Sequence, residues 1–328
     1  MLLLSESDVA ALVDPDLLIE AAEEAYKALS LDEAEVPLRG EILRRDPEHV
    51  ILTMPGLIEG RVFGAKLVAS RASPDPAAGP RITAFVLLFD VGANAPLGLV
   101  AAAHLTDLRT AAGLAVATKA LAREDCRTLA VFGAGRLALP AVELVCHVRP
   151  IDRLFIVGRS RARIELLARN VAAALGSRLR VMVADAVPVA AAAAADVIVT
   201  VTSSAVPVFD GRAVRPGTHL NLGGAFRPDT REVDNAVASR ATFFVDGLES
   251  CLTRAGDLVL PMREGVLARS AIRGEIGAVL GGHIAGRQRP DEITVFKSLG
   301  SAVQDLVLGA RLLARAEQRG LGLRFDPS

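Results

Sequence analysis

Metal and disulfide chemistry have little to work with in this sequence. Its three cysteines, Cys126, Cys146 and Cys251, are an odd set without Cys-x-x-Cys spacing. They read as reduced core residues rather than as a disulfide frame or a zinc site. The five histidines contain no His-x-x-x-His pair, so no protein-bound metal is expected. Charge of one sign is lacking too. With 37 Lys and Arg against 38 Asp and Glu, the net charge of −1 leaves no electrostatic footprint for nucleic acid or an anionic membrane. No apolar run reaches membrane-spanning length without a charge, proline or glycine. The opening Met-Leu-Leu-Leu runs straight into Ser5, Glu6 and Asp8, without the basic start or the length of a signal peptide, and a cytosolic protein is expected.

What is present is core-forming material. The chain has 328 residues, 51% of them hydrophobic, enough for two domains. Asp14-Pro15 predicts a helix start, an acceptor at the N-cap followed by Pro at the first position. Leu18, Ala21, Ala22, Ala25 and Leu29 then line one face to about residue 30. From Val36 to Val100 short strand-like runs with Pro and Gly breaks (VILTM, VFGAKLVAS, ITAFVLLFD) predict a mixed or antiparallel sheet. A helix with LRTAAGLAVATKALA as its body follows, starting near Asp107 or Thr110. The rhythm then changes. TLAVF (128–132), LFIVG (154–158), LRVMVA (179–184), VIVTV (197–201) and HLNLG (219–223) alternate with helix-like segments, the pattern of a doubly wound parallel sheet. The alanines at 190–195 read as a crossover helix packed closely on that sheet. After TFFVD (242–246) come shorter helices, TVFKSLG (294–300) and a long amphipathic helix to about residue 319, which is expected to return to the first domain.

The strongest local signal is VFGAGRLA (131–138), where Gly133-x-Gly135-x-x-Ala138 follows a strand and opens a helix. The first Gly permits the tight turn and the second a close backbone approach to a pyrophosphate. Ala138 permits close helix–strand packing, and the helix N-terminus offers N–H groups and partial positive charge. This context points to a dinucleotide rather than to a mere turn. An NAD site usually has an acid about 20 residues further on, for the ribose 2′-OH. That point reads Val157-Gly158-Arg159-Ser160-Arg161-Ala162-Arg163, with no acid and with groups suited to a 2′-phosphate, unless it is simply a solvated basic helix start. NADPH is therefore expected, with NADH still possible.

HLTDLRTAAG (104–113) places Arg109 ahead of a run of small residues, either to bind a carboxylate or to pair with Asp107. Lys66, in VFGAKLVAS, is the only charge within an apolar strand. Facing inward it needs an anion or a catalytic reason, and facing outward it needs nothing. Arg39, in VPLRGE, carries a weaker signal of the same kind.

Together these pieces resemble the ornithine cyclodeaminase/mu-crystallin family. The matching segments are MPG (54–56), AKLV (65–68), VLLFD (86–90), LTDLRTAA (105–112), VFGAG (131–135), ADVIVTVTSSAVPVF (195–209), RPGTHLNLGGAFRPDTREVD (215–234) and TVFKSLGSAVQDL (294–306). The resemblance implies an α/β fold in which a Rossmann-type doubly wound sheet (116–300) is inserted in a smaller α+β substrate-binding and dimerisation domain (1–115 plus 301–328). It also implies a homodimer. Arg39, Lys66 and Arg109 are expected to hold a substrate carboxylate, with Met54, Thr83, Phe226 and Gly300 as further substrate contacts. Lys66 and Arg109 are the expected catalytic groups. The matched motifs further place Thr110, Gly133, Gly135, Arg136, Leu137, Arg159, Ser160, Arg163, Thr202, Ser203, Lys297 and Ser298 at the cofactor.

Members of the family differ in chemistry. Cyclodeaminases carry an Asp shortly after the Gly-Gly pair to handle amine protons, and in an ungapped alignment that position is Phe226 here. Their Glu before the Met-Pro pair is missing as well, with Leu52 and Thr53 in that region. The segment GAFRPDTREVD is instead similar to the mu-crystallin and ketimine-reductase branch. A protonated ring ketimine is already electrophilic, so binding, orientation and exclusion of water go far toward its reduction. Phe226 is then either an apolar wall for the ring or a packed loop residue. The expected activity is NADPH-dependent reduction of Δ1-pyrroline-2-carboxylate and Δ1-piperideine-2-carboxylate to L-proline and L-pipecolate. The alternatives are ornithine cyclodeaminase, alanine dehydrogenase or a similar amino-acid dehydrogenase, and a non-catalytic binding protein of the mu-crystallin kind.

Overall fold

The computed structural model describes residues 1–45, 48–71, 81–176, 179–183 and 187–326. In chain order the elements are β1 (Leu2–Leu4), α1 (Glu6–Leu12), α2 (Pro15–Ser30), β2 (Ala34–Glu35), β3 (Gly40–Arg45), β4 (Glu48–Ile58), β5 (Val62–Arg71), β6 (Arg81–Asp90), β7 (Ala95–Ala101) and α3 (Ala103–Leu121). There follow β8 (Thr128–Phe132), α4 (Ala138–Val148), β9 (Arg153–Val157), α5 (Arg161–Leu175), β10 (Arg180–Val183), α6 (Pro188–Ala194), β11 (Val197–Thr200) and β12 (His219–Leu222). The last group is α7 (Asn235–Ala238), β13 (Ala241–Val245), α8 (Leu248–Arg254), α9 (Gly256–Arg263), β14 (Ile272–Glu275), α10 (Ile276–Leu280), β15 (Ile293–Lys297), α11 (Ala302–Arg319) and β16 (Leu323–Arg324). Ala184, the end of the expected run at 179–184, lies outside the described residues, as do residues 327 and 328.

The chain forms two compact units, Met1–Arg109 with Ser301–Ser328, and Thr110–Gly300. The first division falls inside α3, whereas the sequence expectation places it at 115/116, further along the same helix. That helix also begins earlier than Asp107. Its start at Ala103 is capped by the carboxylate of Glu6, which accepts from the backbone N–H of Ala103 at 2.8 Å and of His104 at 3.0 Å. A cap from so far away in sequence leaves no local start signal.

In the first unit the sheet order is β16-β1-β7-β6-β5-β4-β2, with β3 also paired to β4. Pro55 sits in β4 between Thr53, the last residue paired to β3, and Leu57, the first paired to β2. Its missing N–H therefore interrupts no ladder on that side. Strand alternation puts Met54, Lys66, Val86 and Val100 in one row on the inner face, through the registers Met54↔Lys66, Lys66↔Val86 and Val86↔Val100. Helix α11 covers that face and packs against α2. Ser301 and Gln304 form a capping box at its start, and Gly320 ends it in the left-handed conformation at φ 66°. Arg311 pairs with Glu20 at 2.9 Å and Glu24 at 2.6 Å, tying α11 to α2.

The second unit holds an all-parallel sheet of order β10-β9-β8-β11-β12-β15-β13-β14. The order reverses between β8 and β11, the switch point at whose carboxyl edge such sheets bind ligands. Phe132 and Phe209 pack with ring centroids 4.8 Å apart beneath it, in a core with Ile198, Leu220, Phe243 and Val295. Ala191, Ala192 and Ala195 are buried, as expected of a crossover packed closely on the sheet.

Candidate active site

Each unit carries one concentration of chemistry-bearing side chains. In the first, Lys66 is 1% exposed and faces inward. Its partner is Asp305, in the first turn of α11 and also fully buried, with Lys66 Nζ 2.7 Å from Asp305 Oδ2. The other oxygen, Asp305 Oδ1, accepts from Arg109 Nε at 3.2 Å. Gln304 braces the arrangement: its carbonyl accepts from Arg109 Nη1 at 3.4 Å, and its amide donates to the Tyr26 hydroxyl at 3.1 Å. Burial pushes the Lys66 ammonium down to about 8, with the charges of Arg109 and Arg39 acting in the same sense and Asp305 opposing them. The structure thus brings Lys66 and Arg109 together around one carboxylate, with the charge of Arg39 near enough to act on Lys66.

Met54 lies beside Lys66 in the same inner row. Thr83 does not. It pairs with Ala69 on the opposite face of the sheet and is exposed, because it stands three positions from Val86 on a strand whose side chains alternate. Sequence reasoning missed Asp305, an acid in the first turn of α11 whose role appears only when the fold sets it beside Lys66.

In the second unit the expected cofactor residues line the carboxyl ends of β8, β9, β11 and β15. Gly133 has φ 113°, and a Cβ there would meet the Val201 carbonyl oxygen at 2.5 Å. Only glycine fits this turn. At Gly135 a Cβ would meet no protein atom within 4 Å, so the backbone is open to a flat or anionic group. Helix α4 starts at Ala138 without a side-chain cap, and its first N–H groups, after Arg136 and Leu137, suit a pyrophosphate. After β9, Arg159 and Ser160 are exposed and Arg163 is half-buried; Ser160 Oγ also caps α5 by accepting from Arg163 N at 3.5 Å. No acid stands between Val157 and Ala162. The residues present fit a dinucleotide. Thr110 is half-buried on α3, and Ser203 is exposed beside Thr202.

Three expectations are altered here. Lys297 is fully buried, with Nζ 2.9 Å from Asp257 Oδ2 and donating to the Ala225 carbonyl at 2.5 Å, so its ammonium is committed to the protein interior rather than offered to a cofactor. Ser298 Oγ donates to Asp246 Oδ2 at 2.8 Å, and the same oxygen accepts from Leu299 N at 2.7 Å and Gly300 N at 2.6 Å. Asp246 therefore fixes the whole Ser298–Gly300 turn, leaving backbone rather than side chains to make outward contacts. Phe226 is 48% exposed, which removes the packed-residue alternative. Its neighbours Arg227 and Asp229 pair with each other at 3.3 Å.

On the amino edge of the same sheet a cavity of about 490 Å³ is lined by Arg123, Asp196, Arg215 and Thr218 among others. Its charges are matched internally, Asp196 taking Arg123 at 3.0 Å and Arg215 at 3.5 Å, so it lacks an unsatisfied group for chemistry. Among the described residues no cluster of His, Cys, Asp or Glu could hold a metal, and no helix is long and apolar enough to cross a membrane.

Residues 1–319 match the ornithine cyclodeaminase/mu-crystallin family. This chain belongs to that family. A Δ1-pyrroline-2-carboxylate reductase of Bacillus cereus is 33% identical over 328 residues, covering 99% of this chain and 100% of the relative. The structure of Thermococcus litoralis Δ1-pyrroline-2-carboxylate reductase, in complex with NADH and L-proline, superposes with a TM-score of 0.92 at 32% identity, over 99% of this chain and 100% of that one. An archaeal alanine dehydrogenase dimer with bound NAD gives a TM-score of 0.91 at 27% identity, over 100% of this chain and 99% of that one. As a member of the ornithine cyclodeaminase/mu-crystallin family, the chain is a nicotinamide-dependent oxidoreductase acting on C=N or CH–NH bonds.

Proposed function

We propose that this protein reduces cyclic ketimine carboxylates, Δ1-pyrroline-2-carboxylate and Δ1-piperideine-2-carboxylate, to L-proline and L-pipecolate, with NADPH as the preferred cofactor. The observation that carries the reading is the buried Lys66–Asp305–Arg109 cluster, where an ammonium near its titration point lies beside a guanidinium. Arg109 and Arg39 bind the substrate carboxylate, Arg109 in the charge-assisted way a guanidinium favours. Lys66 holds a proton at Nζ and passes it to the ring nitrogen, while Asp305 keeps the ammonium in place. When bound, the nicotinamide supplies the hydride to the imine carbon. The product is a secondary amine, one proton and one hydride richer than the imine. Phe226 offers an exposed apolar ring in place of the acid that amine elimination calls for, which favours reduction over cyclodeamination. The reading is tested by steady-state turnover of both imines, against ornithine and alanine oxidation in parallel. Turnover of ornithine or alanine faster than of either imine overturns it.

The preference for NADPH rests on the exposed Gly158-Arg159-Ser160 turn and the absence of an acid there. NADPH is expected to bind about tenfold more tightly than NADH, and Arg159→Ala to abolish most of that difference while leaving NADH affinity nearly unchanged. Fluorescence titration of the two cofactors reads this directly. Equal affinities in the unaltered protein would assign the site to NADH.

We also propose a homodimer formed through the outer face of the first unit's sheet. Ile42, Ile51, Leu67, Phe85 and Leu97 are exposed on it, and Phe63 stacks on Phe89 at 5.0 Å. Their strands are apolar at both parities, the pattern of a sheet covered on both sides, yet α11 covers only one. A second copy is the occupant we infer, in keeping with the dimeric archaeal alanine dehydrogenase of like fold. A Leu67→Asp, Phe85→Asp double variant is expected to sediment as a monomer at concentrations where the unaltered protein is dimeric. A variant that stays dimeric points to another interface.

A further inference from the structure

Among the acids buried in the second unit, Glu232 and Asp257 form one cluster with Lys297, and the proposed chemistry uses none of the three. Glu232 is fully buried, and its carboxylate gathers four donors from two loops. Oε1 accepts from Thr202 N and Thr202 Oγ1, both at 2.8 Å, in the loop after β11. Oε2 accepts from Gly224 N at 2.8 Å and Ala225 N at 3.1 Å, in the loop after β12. The ring closes behind it. Lys297 donates to the Ala225 carbonyl and pairs with Asp257, whose Oδ1 accepts from Glu232 N at 2.7 Å. The two loops also meet at backbone distance, since a Cβ at Gly224 would lie 2.3 Å from the Thr202 carbonyl oxygen. Burying a carboxylate is expensive, and apolar packing could join two loops at less cost. What the carboxylate adds is direction. Bonded to backbone N–H groups of both loops, it fixes their conformations and not merely their separation.

We infer that Glu232 is a positioning residue for the cofactor, setting the Thr202–Ser203 and Gly224–Phe226 segments in the conformation that receives the nicotinamide end of the dinucleotide. The inference rests on the dinucleotide reading of this unit. Both loops leave the carboxyl ends of strands next to the switch point, where open α/β sheets bind their ligands, whereas the pyrophosphate belongs to the Gly133–Leu137 turn and the adenosine ribose to the Gly158–Ser160 turn. Loss of Glu232 should therefore damage one half of the cofactor site and spare the other.

The test measures the affinity of full-length protein for NADPH and for 2′,5′-ADP, which carries only the adenosine half. Glu232→Gln keeps the size of the side chain and sets an amide NH2 against backbone N–H donors. It is expected to weaken NADPH by about tenfold or more, with 2′,5′-ADP affinity within about twofold of the unaltered protein. Glu232→Asp, a shorter carboxylate, is expected to fall between the two. An unchanged NADPH affinity in Glu232→Gln overturns the inference, and so does an equal loss for both ligands, which marks general damage. If Glu232→Gln does not fold, Asp257→Asn carries the test, since it loosens the ring from behind. It should then show a smaller loss confined to NADPH, and no loss overturns the inference. Failure of the unaltered protein to bind either ligand removes the dinucleotide reading itself, and the inference with it.

Discussion

Asp305→Ala is expected to cost about 3–5 kcal/mol of folding stability, because it leaves Lys66 and Arg109 buried without their shared carboxylate. The cost has a clear physical origin. Both cations are nearly inaccessible to water, at 1% and 7% exposure, so solvent cannot take over from the lost partner. In a unit of this size the melting temperature should fall by on the order of 10 °C. Asp305→Asn keeps the volume and some hydrogen bonding and should lose less. Urea unfolding of the three proteins checks the order. A loss under about 1 kcal/mol in Asp305→Ala would mean that the cluster relaxes to admit water, and the picture of a dry, matched site would fail.

Lys66→Ala should lower kcat/KM for the imines by about 10³-fold, within the range typical of removing a general acid. The pH dependence separates proton transfer from simple charge. With the ammonium pushed down to about 8, imine reduction should fall as pH rises through that value, since the donor is then deprotonated. Oxidation of L-proline should rise over the same interval, because the neutral amine becomes the base. Lys66→Arg retains a cation that does not titrate in this range and should lose both limbs. A profile in Lys66→Arg that still breaks near pH 8 would move the titrating role to another group. Linkage has its own sign. Between about 8 and the ordinary lysine value the unfolded chain holds more protons, so folding stability gains with pH there, and below about 8 the full burial cost of the ammonium stands.

Much of this was legible in the sequence where the signal was local. The glycine turn, the alternation of apolar strands with helices and the alanine crossover all arise from neighbours in the chain, and each forms as expected. Lys66 stood out because one charge interrupts an apolar strand, and a strand's alternation fixes which way it points. The buried acids were not legible. Asp305, Glu232, Asp246 and Asp257 acquire meaning only from partners brought in by the fold, and an isolated acid near a helix start reads as an ordinary surface residue. The start of α3 was hidden for the same reason, its cap lying 97 residues away in Glu6. Thr83 was misjudged by parity. Motif matching notes which residues are present, but a strand assigns its faces two residues at a time.

The contact of α11 with the sheet carries a consequence for how this scaffold can vary. A Cβ at Gly64 would meet Leu306 at 3.1 Å and the Leu87 carbonyl oxygen at 2.1 Å, and one at Gly309 would press on Leu88 at 3.2 Å. Helix and sheet are as close there as absent side chains permit. The reach from Asp305 to Lys66 is thus gauged by residues that contribute no functional group. Variation of this scaffold has no latitude in these glycines, where one added methyl would lift the helix and carry the counter-charge away from the amine it serves.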